Sequence, residues 1–174
     1  YSLGEKRHWT KWSLWEPDTR VPILIADPTK TGNRVVRQTV TLVDIFPTIC
    51  DIADVNYPTN PDGTPYLDGN SLIALLDGGE LKYEYPALTT YKKNVGNGSC
   101  YPHHSVRNDR WHYISYRENN NGAFATDYCD STNVSYEEEL YEIGVNRETD
   151  PYEWNNLISN DDYRPLINYL SQWL

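Results

Sequence analysis

Apolar and polar positions alternate along this chain in ways that define its elements. Val21 to Ala26 (VPILIA) is a short continuous run of mostly branched apolar residues, bounded by Pro22 and by Asp27-Pro28, and this pattern predicts a buried strand. Thr29 to Asn33 follows as a turn. From Leu42 the apolar residues fall at Leu42, Ile45, Phe46, Ile49, Ile52 and Ala53. That three-and-four spacing predicts an amphipathic helix over about Asp44 to Ala53, with Asp44 a candidate cap and Pro47 tolerable only in the first turn. Asn56 to Gly69 is a loop by its Pro and Gly content, and Ser71 to Leu76 is a short helix.

The second half carries strand patterns. Ala87 to Tyr91 (ALTTY) has strand composition, and Lys92 to Cys100 is a loop rich in Gly and Asn. Ser105-Val106-Arg107 and Trp111 to Tyr116 flank the turn-forming Asn108-Asp109-Arg110, which predicts a hairpin; Glu139 to Ile143 adds a further strand. Asp161 and Asp162 precede Leu166, Ile167, Leu170, Trp173 and Leu174, the spacing of a capped amphipathic helix that closes the chain. The fold class expected is α/β at the start, running into an α+β ending made of a small antiparallel sheet plus the terminal helix. Residues 1–80 and 81–174 are the expected divisions.

Charge narrows the partners. The net charge is -10, which opposes binding to phosphate backbones or anionic membrane surfaces, so neither nucleic acid nor membrane is an expected partner. The sign is uneven, with seven basic and four acidic residues in the first 40 positions and eight basic against 21 acidic in the remainder. An anion, if one is handled, belongs with the first 40 residues. No apolar run approaches the roughly 18 residues that span a bilayer. The chain has no Met, so it is read as a piece of a larger protein. Its acidic, Asn-rich and Asp-rich composition suits a periplasmic or extracellular setting.

Three cysteines are too few and too scattered for a zinc module. Cys50 falls at an apolar helical position and reads as a buried thiol. Cys100 and Cys129 lie in polar loops, where an oxidising compartment would permit a disulfide. Asn97-Gly98-Ser99 and Asn133-Val134-Ser135 match the glycosylation acceptor pattern and mark those loops as exposed.

The densest chemistry is in the head, Gly4-Glu5-Lys6-Arg7-His8-Trp9-Thr10-Lys11-Trp12, with three cations, one His and two indoles in nine residues. A lysine in a loop beside a strand of an α/β sheet can meet an anionic substrate group; the plain alternative is a solvated basic turn shielded by Trp side chains. Glu16 and Arg20 read as a structural pair that fixes entry into the strand expected from Val21. Glu137-Glu138-Glu139 and the acidic stretch from Asp150 to Asp162 read as solvated surface. His104 and His112 could oppose one another across the hairpin as metal ligands, but two imidazoles without a nearby third ligand make a weak case, and His112 reads as a structural strand residue. The six Trp and 15 Tyr could line the core or offer stacking platforms to sugar rings.

The pieces Leu3-Gly4-Glu5-Lys6, Trp9-x-Lys11, Leu14-Trp15-Glu16 and Thr19-Arg20-Val21-Pro22, then Leu42-Val43-Asp44-Ile45-Phe46-Pro47-Thr48 and Leu67-Asp68-Gly69-x-Ser71-Leu72, resemble in order and spacing the formylglycine-dependent sulfatases. The resemblance is to their choline-sulfatase and iduronate-sulfatase branch. It continues through Ser105-Val106-Arg107, Tyr113 and Glu139-Leu140-Tyr141 to the terminal helix.

That resemblance implies the last third of an alkaline-phosphatase-like enzyme. A formylglycine nucleophile, made from a Cys/Ser-x-Pro-x-Arg motif, and a calcium ion would both be supplied upstream. The chain contains no such motif, so by this reading it is inactive alone and its partners are the remainder of the same polypeptide and a sulfated small molecule or carbohydrate. Lys11 matches the family's lysine that contacts the sulfate near the bridging oxygen and is the expected catalytic residue. Trp9, beside it, and His104, ahead of a hairpin that in the family folds back toward the cleft, are the expected substrate-binding residues. A phosphodiesterase or phosphonate hydrolase of the same superfamily, and a noncatalytic carbohydrate-binding module, stay open at this point.

Overall fold

Period-two patterning between Ala87 and Glu142 builds one antiparallel meander in the computed structural model, which describes residues 1–29, 33–81, 85–92, 102–119 and 134–174. Cys100, Cys129, the Asn97-Gly98-Ser99 pattern and Asn133 lie outside the described residues. Strands β3 (Ala87–Lys92), β4 (Pro102–Arg107), β5 (Trp111–Asn119) and β6 (Val134–Glu142) pair in that order. The β4–β5 hairpin closes as expected, with Arg107 opposite His112 and Asn108 accepting from the backbone N–H groups of Arg110 and Trp111.

Alternation sends successive side chains to opposite faces. Val106, Tyr113 and Leu140 point to one face and meet Ile167 and Leu170 of the terminal helix α4 (Arg164–Ser171). Asn160 caps the 3-10 turn that leads into that helix, its side chain accepting from the Asp162 N–H. Ile114, Tyr141 and Ile143 point to the other face and enclose Leu14. The element over that face is the head: a two-stranded hairpin, β1 (Ser2–Leu3) and β2 (Trp9–Thr10), then a one-turn helix α1 (Glu16–Thr19). Residues 1–22 and 87–174 thus form one compact unit, and 23–86 form another.

In the second unit the helix expected from Leu42 onward appears as a 3-10 turn over Leu42–Asp44 followed by α2 (Ile45–Ile52), with Pro47 in the first turn and Cys50 buried. The Asp44 carboxylate accepts from the Thr41 N–H at 2.8 Å and from the Asn70 N–H at 2.8 Å, while the Thr48 hydroxyl accepts from the Leu72 N–H at 2.8 Å. Gly69 makes this closeness possible, since a Cβ there would stand 2.2 Å from the Val43 carbonyl oxygen. The Asp-Ile-Phe-Pro-Thr and Leu-Asp-Gly-x-Ser motifs are therefore two halves of one joint, and the second leads into α3 (Ile73–Leu76).

The strand expected over Val21 to Ala26 does not form: residues 21–27 are irregular, and Leu24 is 89% exposed. A strand exists only with a ladder partner, and none of the described strands pairs with this run.

Candidate functional site

Two of the three expected site residues sit together on the head. In the β1–β2 hairpin Ser2 pairs with Thr10 and Leu3 with Trp9, and Lys11 follows directly on β2. The hairpin is closed by hydrogen bonds from the Gly4 N–H to the His8 carbonyl and from the Arg7 N–H to the Gly4 carbonyl, both 3.0 Å. Thr10 (φ 83°) and Trp12 (φ 85°) flank Lys11 in the left-handed region, costly for side chains with a Cβ and of a kind that concentrates at functional sites. Trp9 and Trp12 are 65% and 61% exposed. Lys11 is exposed too, with its ammonium 5.0 Å from the Trp12 ring centroid. The head thus presents a cation beside the Trp12 indole, with the exposed Trp9 two positions before it.

The structure does not bring His104 to them. On β4, His104 shares its alternation with Val106, toward the terminal helix, and its Nδ1 lies 3.1 Å from the Thr90 hydroxyl of β3. The histidine on the head's face is its neighbour His103, which is buried. A file of rings runs from Trp12 to Tyr91 (5.6 Å between centroids), from Tyr91 to His103 (5.8 Å) and from His103 to Tyr116 (5.2 Å). One step of strand register separates the two histidines, and sequence spacing alone does not fix which face each takes.

Beneath the head lies a polar cluster. Glu153 is fully buried with φ 59°; its carboxylate accepts from the Glu16 N–H at 2.7 Å and contacts Nδ1 of buried His112. Glu16, 3% exposed, meets Arg107 at 3.1 Å, Arg147 at 3.6 Å and Arg20 at 4.0 Å. Among the described residues the expected Glu16–Arg20 pair is thus the longest of three contacts to one carboxylate. Glu139 accepts from the Trp15 indole N–H at 2.8 Å and the Tyr116 hydroxyl at 3.2 Å. Glu153 and Glu139, expected as solvated surface, are instead the polar floor under the head. Burial, with Glu139 next in weight, pushes the phenols of Tyr116 and Tyr141 well above the ordinary tyrosine value. Among the described residues no group of three His, Cys, Asp or Glu side chains converges to hold a metal ion.

A head hairpin on one face of a four-stranded antiparallel meander and a helix on the other define the class, a small α+β unit. The N-sulphoglucosamine sulphohydrolase C-terminal family model matches residues 4–174, and the chain belongs to that family. A sulfatase of Formosa agariphila is 26% identical over 175 residues, all of this chain and 27% of that protein. An ulvan-active sulfatase of the same organism is 28% identical over 189 residues, 94% of this chain and 34% of that protein. The chain therefore spans about a quarter to a third of the length of these relatives. The crystal structure of a Bacteroides thetaiotaomicron protein described as a sulfatase superposes with a TM-score of 0.51 at 23% identity, over 75% of this chain and 22% of that one, which shows the shared fold. The family expected from the motifs is the family found.

Proposed function

We propose that the chain is the C-terminal part of a periplasmic or extracellular sulfatase that hydrolyses a sulfate ester on a carbohydrate, with Lys11 as its catalytic residue here. The observation that carries the reading is the Lys11 ammonium, exposed on a braced hairpin exit at the position that matches the family's sulfate-contacting lysine. An ammonium beside the bridging oxygen stabilises the negative charge that grows there as the S–O bond breaks, and a single preorganised donor of this kind accounts for about 10²- to 10³-fold in turnover. Trp9 and Trp12 supply faces against which a pyranose ring packs. Two names support a carbohydrate: the family's own, which is that of a hydrolase of a sulphated glucosamine, and that of the ulvan-active relative.

A formylglycine would supply the nucleophile and calcium would hold the sulfate. The chain has no Cys/Ser-x-Pro-x-Arg motif and its described residues build no metal site, so neither group fits the residues here and no step is routed through them. The test is sulfate release from sulfated monosaccharides by the chain joined to its upstream sequence. Lys11→Ala is expected to lower kcat by about 10²- to 10³-fold with the fold intact by circular dichroism. Unchanged turnover would overturn the assignment of Lys11, and phosphate release from phosphodiesters in place of sulfate release would overturn the sulfatase reading.

A further inference from the structure

The head carries two lysines, five positions apart, in opposite surroundings. Lys11 is exposed, whereas Lys6 is half-buried at the tip of the β1–β2 hairpin, where it and Arg7 take left-handed conformations (φ 51° and 60°). The Lys6 ammonium donates to the Tyr141 hydroxyl and to the Glu153 backbone carbonyl, both at 2.6 Å. It also stands 4.6 Å from the Trp15 ring centroid and 4.2 Å from that of Tyr141. Burial depresses its pKa below the ordinary lysine value, so the charge is kept there against a desolvation cost. A methionine would fill much the same volume without that cost, and retained buried charge of this kind is a mark of geometric specification in the best-attested cases.

What Lys6 specifies follows from the chain. Tyr141 lies on β6, and Glu153, which receives Lys6 through its backbone, receives the Glu16 N–H and His112 through its side chain. The tip of the hairpin and the start of α1 are therefore moored to one buried residue, on either side of Lys11. Two further contacts tie the chain between Lys6 and Lys11: the Gly4 N–H to the His8 carbonyl, which closes the hairpin, and His8 Nε2, 3.1 Å from the Lys11 carbonyl oxygen.

We propose that Lys6 is a positioning residue, whose anchorage on Tyr141 and Glu153 sets the place of the Lys11 ammonium; the proposal rests on the reading of Lys11 as the catalytic lysine. Lys6 itself touches no substrate. It holds the hairpin from below while Lys11 acts above, and displacement of a catalytic group by about 1 Å can cost 10²-fold in rate.

The test is a double-mutant cycle in the full-length enzyme, because a residue that acts through another loses its effect when that other is gone. Lys6→Met is expected to lower kcat by about 10²-fold with KM changed less than threefold, and Lys6→Arg to recover at least a tenth of the activity. In a Lys11→Ala background Lys6→Met should change kcat by less than threefold. An equal loss in both backgrounds would show a general structural role and overturn the proposal, as would a Lys6→Met enzyme with normal kcat beside an impaired Lys11→Ala enzyme. A Lys11→Ala enzyme with normal kcat would remove the reading of Lys11 and the proposal with it. Should Lys6→Met not fold, Tyr141→Phe keeps the ring and deletes one of the two acceptors; a several-fold loss of kcat that vanishes in the Lys11→Ala background supports the anchorage, and no loss, or an equal one, overturns it.

Discussion

One face of the β3–β6 sheet meets the terminal helix through Val106, Tyr113, Leu140, Ile167 and Leu170, whereas the other meets the head through Leu14, Ile114 and Ile143 mixed with Glu153, His112, Glu16, Arg107 and Lys6. The first contact is chiefly apolar and non-directional, so it stabilises in proportion to the area removed from water. The second is directional. Buried ion pairs contribute little net stability over an apolar replacement of the same shape, but each fixes an angle and a distance. The face under the head is assembled from groups with geometric demands, and the face under the terminal helix from groups without them.

Removing the central carboxylate is the hardest test of that contrast. Glu153→Ala leaves the Glu16 N–H and His112 without their buried partner and is expected to cost about 3–5 kcal/mol, read as faster hydrogen exchange in β5 amides, and to lower kcat along with stability. Leu170→Ala, on the apolar face, is expected to cost about 2–5 kcal/mol by the same readout while leaving kcat unchanged at temperatures where the enzyme stays folded. Equal effects of the two substitutions on kcat would break the contrast.

A pH titration sharpens it further. Tyr116 and Tyr141 hold raised pKa values through burial first and the Glu139 charge second, so their contribution to stability is complete below the unfolded tyrosine value of about 10 and is lost as pH rises above it. Lys6, lowered by burial, has the opposite sign: its desolvation cost is carried at neutral pH and eases as pH climbs through the alkaline range. Two phenols against one amine give a net loss on the head face. The part of the tyrosinate absorbance that Tyr116→Phe and Tyr141→Phe remove should therefore appear late and in step with release of the head, and its early, gradual appearance would contradict the buried placement. The smallest effect is expected at the rim, where Arg110 donates to Glu142 at 2.5 Å but is largely exposed; Arg110→Ala should cost less than about 1 kcal/mol.

Much of the apolar packing was legible in the sequence. Period-two runs gave the β4–β5 hairpin, the spacing of Ile167 and Leu170 gave the terminal helix, and Cys50 was readable as a buried thiol, because burial there follows from local patterning. Glu153 was not legible. It stands among Asp150, Pro151, Asn155 and Asn156, a composition that reads as surface, and its burial comes from Glu16, 137 positions away. The same limit applies to Glu139, which receives Trp15 across 124 positions. Lys11 and Trp9 were singled out from a motif, but the face taken by His104 depends on register, which only pairing determines. The run at Val21 to Ala26 had strand composition and no described partner, and composition does not supply one.

The moorings of Lys6 also set a schedule. Its two hydrogen-bond partners lie 135 and 147 positions downstream, so during synthesis at about 5–20 residues per second the head emerges and waits on the order of 10–30 s before Tyr141 and Glu153 exist to receive it. Contacts of such long sequence separation form late and slowly. Through that interval Trp15 stands without Glu139, the sheet residue that receives its indole N–H. The mooring of the head is completed only after Glu153 has been made.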